Sequence, residues 1–135
     1  MEQFAAYGPA IVALALWGLL ILVLTIYSTF GRTAEARCDC GKPKRDYADP
    51  VYRRERAYMN AVETSGPFIA TTLAAMLAGG AVFWVNLLAA VFVISRIAMA
   101  AIHIGTENQP MRSISFMVGF LVIIALGLIA VFAAL

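Results

Sequence analysis

Four long apolar runs dominate the chain, separated by polar or glycine-containing breaks. Ala10–Phe30 carries no charged residue, Ala57–Ala78 carries only Glu63, Ala81–Ile104 only Arg96, and Ser113–Leu135 none. A helix of about 20 residues crosses the ~30 Å hydrocarbon layer of a bilayer, and each run reaches that length. Strands of a membrane barrel would show strict alternation over segments of about 10 residues, a pattern absent here. The pattern predicts an all-α, integral membrane four-helix bundle. Its spans fall at about 10–30, 57–78, 82–104 and 113–134, with a polar loop over 31–56, and residues 1–135 make one domain. Gly8-Pro9 leads into the first span, with Pro where a first helical turn tolerates it. Gly31 ends that span, Gly79-Gly80 makes a tight turn between the second and third, and Gly105–Pro110 joins the third to the fourth. The 31–56 loop is expected to be ordered or semi-ordered, with a short helix before Pro50.

Composition supports the bilayer as solvent. The chain is 62% hydrophobic and 13% charged, against roughly 25% charged residues in a soluble domain. The first run is expected to be a retained span rather than a secretory leader: its start, Met1-Glu2-Gln3-Phe4, is acidic, and no small-x-small site closes it before Gly31-Arg32. Of the 10 Lys and Arg residues, all but Arg96 and Arg112 lie between Arg32 and Arg56. Basic loops stay in the cytosol, so the 31–56 loop and the one carrying Arg112 face inward and both termini face outward. Glu35, Asp39, Asp46, Asp49 and Glu55 interrupt the basic loop. It reads as a topology signal, not as a polycation for nucleic acid.

Charges inside a span cost several kcal/mol unless paired or wetted, so Glu63 and Arg96 mark a functional site by default. At 1.5 Å per residue Glu63 lies roughly 10 Å beyond Arg56, and Arg96 roughly 13 Å from Gly105. At similar depth on antiparallel neighbours, the two are expected to pair. Arg56, Asn60 and Glu63 share one helix face, as do Arg96, Ala100 and His103. Arg112 and Ser113 open the fourth span. The sum is a polar, arginine-rich pocket open to the cytosol, suited to a small anion, because the planar guanidinium grips carboxylates in a bidentate way. The bilayer would deliver a second, apolar substrate. His103 is the one histidine and reads as pocket lining. Cys38-Asp39-Cys40 reads as reduced thiols in a cytosolic loop, and no metal site is expected. Tyr7, Trp17 and Trp84 read as packing or interface aromatics, and Gly119 and Gly127 as small residues at helix contacts.

The segment Arg54-Glu55-Arg56-Ala57-Tyr58-Met59-Asn60-Ala61-Val62-Glu63-Thr64-Ser65-Gly66-Pro67-Phe68 resembles the second-helix signature of the MAPEG family, the membrane-associated proteins in eicosanoid and glutathione metabolism. Ser95-Arg96-Ile97-Ala98, His103-Ile104-Gly105 and Pro110-Met111-Arg112-Ser113 resemble its second signature, in register. The resemblance implies a homotrimer with glutathione bound between subunits near the cytosolic face. It implies that Arg56, Asn60, Glu63 and Arg96 line the glutathione site with His103, that Arg32 is a further carboxylate contact, and that Arg112 activates the thiol beside Ser113. Read as a bacterial member, the chain resides in the inner membrane. There are departures: His103 stands where the enzymes often have Tyr, Met99 where the prostaglandin branch has His, Phe116 where it has Tyr, and Met59 where some members have a polar group.

The function implied is a glutathione-dependent transferase or peroxidase acting on a lipophilic electrophile. The alternative is a non-catalytic lipid-binding protein or an accessory subunit of a larger membrane complex, favoured by the departures. A proton-coupled exporter, suggested by Glu63 alone, ranks third.

Overall fold

The computed structural model describes residues 2–135, with side chains from Phe4 onward, and is all-helical. A short helix α1 (Glu2–Ala5) precedes four long ones: α2 (Gly8–Thr29), α3 (Pro50–Leu77), α4 (Val82–Gly105) and α5 (Gln109–Ala134). Helices α2, α4 and α5 are long and apolar enough to cross a membrane, which makes this an integral membrane protein. Helix α3 packs among them with more polar side chains. It contacts α2, α4 and α5, and α4 contacts α2, α3 and α5, so α2 and α5 flank a central α3–α4 pair.

Local chemistry sets the ends. Pro50 occupies the first turn of α3, where its missing N–H is no loss, and the Asp49 carboxylate caps the helix by accepting from Val51 N at 2.8 Å. The Asn108 side chain caps α5 by accepting from Met111 N at 3.1 Å. These caps start α3 and α5 earlier than the apolar runs do, because charged residues in a first turn lower hydropathy without opposing helix. Arg53, Arg54, Glu55 and Arg56 thus ride on helix rather than loop. Residues 30–49 contain turns and one isolated β-bridge, Arg37 with Pro43, but no helix before Pro50. Helix α3 ends in a Schellman turn: Gly80 N–H donates to Ala75 O at 2.8 Å and Gly79 N–H to Met76 O at 3.2 Å, with Gly79 at φ 72°.

The core forms where α2, α3 and α4 meet. Trp17 is fully buried, edge-on to Phe68 and Phe92, which stack with centroids 3.8 Å apart. Its indole N–H donates to Ser65 Oγ at 3.2 Å. Tyr7 is also buried, and its hydroxyl donates to Gly80 O, fastening the N-terminal end of α2 to the α3–α4 turn. Trp84 is exposed near the start of α4. In lipid such packing and hydrogen bonding hold helices together, since the acyl chains are as apolar as the side chains.

Candidate functional site

A cavity of about 560 Å³ lies at the end of the bundle where α3 and α5 begin and α4 ends, under the 30–49 loop. Helix α3 contributes Arg56, Asn60 and Glu63; α4 contributes His103; α5 contributes Gln109, Arg112, Ser113, Phe116 and Met117; the loop contributes Arg45 and Tyr47. The wall holds three arginines against one carboxylate, so it favours an anion.

Six of the residues singled out from the sequence line this cavity: Arg56, Asn60, Glu63, His103, Arg112 and Ser113. Arg56 and Glu63 face each other at 3.8 Å, two turns apart on α3. Arg112 is 7% exposed, in the first turn of α5, and makes no salt bridge among the described residues. One of its terminal nitrogens, Nη1, is buried without a hydrogen-bond partner, and so are both ring nitrogens of His103. A buried polar atom left unpaired costs about 1–3 kcal/mol. Three such atoms lie on two side chains that line one cavity, and a polar ligand there would pair them.

Arg96 stands apart. It is 1% exposed and lies behind the cavity wall, donating from Nη2 to Phe116 O at 2.7 Å and from Nη1 to Asn60 Oδ1 at 3.3 Å. It does not pair with Glu63, whose side chain is 51% exposed and turned toward Arg56. Matching depth on neighbouring helices fixes only the rise along the axis. Asn60 and Glu63 differ in angle around α3, and the inward one, Asn60, meets the arginine. Phe92 and Phe116 lie against the guanidinium, with its carbon 5.4 and 5.2 Å from their centroids. Gly119 makes room for it: a Cβ there would fall 2.0 Å from Nη2. That glycine sits at the α4–α5 contact, where its missing side chain leaves room for the cation.

Arg32 is not at the cavity. It pairs with the buried carboxylate of Glu55 and donates to Ser28 O at 2.9 Å, joining α2 to α3. Cys38 and Cys40 are bonded to each other rather than reduced; the turn closed by Gly41 brings their Cα atoms to 5.2 Å, which linear spacing does not disclose. Arg45, Tyr47, Gln109, Phe116 and Met117 were not expected in the lining. Ser113, Phe116 and Met117 follow Arg112 at positions one, four and five along the helix, a pattern that could have placed the last two. No periodic signal places the two loop residues.

The sequence profile of the MAPEG family matches residues 8–132, nearly the whole chain. No functionally curated protein matches it.

Proposed function

The chain belongs to the MAPEG family, and from that premise we propose that it is a membrane-bound glutathione-dependent transferase or peroxidase acting on lipophilic electrophiles. The observation that carries the reading is the unpaired edge of Arg112 and the unpaired His103 ring in one cation-rich cavity. Glutathione is an anionic tripeptide whose carboxylates and amides would pair those atoms. Arg56, Asn60, Glu63 and Arg45 would bind its polar ends, and Arg112 would face its sulfur with Ser113 alongside.

The thiol of a free cysteine has a pKa near 8.5, so only a few per cent is thiolate at neutral pH. A guanidinium beside the sulfur favours the anion, and the released proton passes to water at the open mouth of the cavity. The thiolate then bonds to an electrophilic carbon of a substrate arriving from the bilayer, whose leaving group departs as an anion. With a peroxide the O–O bond breaks, the alkoxide leaves and takes a proton from water, and a second glutathione reduces the resulting sulfenic acid to the disulfide. Phe116 and Met117 give that substrate an apolar wall.

The orientation proposed puts the cavity in the cytosol, with α3 crossing the membrane alongside α2, α4 and α5. A homotrimer completes the site. The half-exposed Glu63 and the adjoining Arg56, at the edge of the apolar region, need a polar neighbour that lipid does not supply.

Titration of the purified protein with glutathione, read by the ultraviolet band of the thiolate, tests the proposal. A saturable band in the millimolar range is expected. Its absence, together with no calorimetric heat, would leave a non-catalytic membrane protein as the better account.

A further inference from the structure

We propose that Tyr47 is a positioning residue for Arg112, holding the guanidinium by its face so that its N–H edge stays free for the reacting sulfur. This rests on the glutathione-dependent reading above and assigns the loop a part in it. The guanidinium carbon of Arg112 lies 4.1 Å from the centroid of the Tyr47 ring, the closest of the four cation–ring approaches among the described residues. An aromatic face attracts a cation through its quadrupole. Unlike a carboxylate, it neither neutralises the charge nor occupies the N–H donors, which lie in the guanidinium plane. That matches what Arg112 lacks: a carboxylate partner, and a partner for the buried Nη1.

The ring is itself held in place. Arg53 donates from Nη1 to Tyr47 O at 2.7 Å and to Ala48 O at 3.0 Å, and from Nε to Ile104 O at 3.2 Å. One side chain thus ties this stretch of loop to α3 and to the last turn of α4. Tyr52 meets the Tyr47 ring edge-on at 5.1 Å, and the His103 ring lies 6.4 Å away on the cavity side. The other ionisable groups facing the cavity are Arg45 from the loop and Arg56 and Glu63 from α3. None of them takes up the guanidinium in an ion pair, so the aromatic contact is what fixes its angle.

The test measures the thiol pKa of bound glutathione from the pH dependence of the thiolate band, with kcat and KM, in wild type, Tyr47→Phe and Tyr47→Leu. Tyr47→Leu is expected to raise that pKa by about one unit, a roughly tenfold loss of thiolate at neutral pH. The loss should appear in kcat more than in KM for glutathione. Tyr47→Phe keeps the ring face and should retain the wild-type pKa. If Tyr47→Leu matches wild type, or if Tyr47→Phe falls with Tyr47→Leu, positioning by the ring face is overturned; the second result would assign the role to the hydroxyl. If wild type shows no thiolate, the proposed function itself fails and this inference with it, a pattern distinct from either.

Discussion

Arg112 and Arg96 are both buried arginines without carboxylate partners, but they have different surroundings. Arg96 has carbonyl and amide acceptors and two aromatic rings, and its neighbours are built around it. Each keeps one buried nitrogen unpaired, Nε in Arg96 and Nη1 in Arg112, but only Arg112 borders the cavity. The first is a structural cation and the second an available one. Removing a preorganised donor aimed at developing negative charge costs ~10²–10³ in rate. Arg112→Ala should therefore lower kcat/KM by that order and abolish the thiolate band, with thermal unfolding in detergent little changed. Gly119→Ala should instead act on stability, since its methyl would displace the Arg96 guanidinium from Phe116 O; overpacking of this kind costs about 1–3 kcal/mol. In an Arg96→Met background the same substitution should cost much less, and the double-mutant cycle measured by unfolding checks the coupling. Additive costs would mean that Gly119 serves some other contact.

At the scale of elements, the 30–49 loop is held mainly by arginines reaching from helix to loop carbonyls. Arg54 donates to Phe30 O at 2.9 Å, and Arg53 spans the loop and α4. The Arg32–Glu55 pair, with Lys42 Nζ at 3.9 Å from the same carboxylate, fastens the other end. These bonds hold backbone carbonyls that no helix or sheet uses. Arg53→Ala should free the loop near Tyr47 without unfolding the bundle. Limited proteolysis should then cut within 31–49 several times faster than in wild type, with helical circular dichroism unchanged. Equal cleavage rates would show the loop to be held by other contacts. The early start of α3 matters here too, because Arg53, Arg54 and Arg56 need helical spacing to point to loop, α2 and cavity respectively.

For the whole molecule, most large exposed side chains on α2, α4 and α5 are apolar, as a bilayer requires: Leu16, Leu19, Leu22, Ile94, Leu121 and Val131 are among them. Glu63 breaks that pattern on α3, at 51% exposure. A second copy covering that position would satisfy it. Native mass spectrometry from mild detergent should give a trimer, and cross-linking at a cysteine placed at Glu63 should join subunits. A monomer that still binds glutathione would remove the intersubunit part of the proposal and leave the cavity.

The order of apolar runs alone determined a helical membrane protein, because twenty uncharged residues have few stable alternatives in lipid. Caps and turn residues such as Asp49-Pro50, Asn108 and Gly79-Gly80 carried the helix ends in plain view, although hydropathy hid the first turns of α3 and α5. Helical spacing also collected Arg56, Asn60 and Glu63 on one face, and the two motifs carried the family. What the sequence could not supply was angle. Rise along an axis put Glu63 and Arg96 at one depth, but the rotation of α3 against α4 and α5 gave Arg96 to Asn60 and Glu63 to Arg56. Nor could it supply the path of a loop without periodicity, so the delivery of Tyr47 to Arg112, the withdrawal of Arg32 to Glu55 and the joining of Cys38 to Cys40 were decided only in three dimensions, where distant segments compete for the same acceptors and charges.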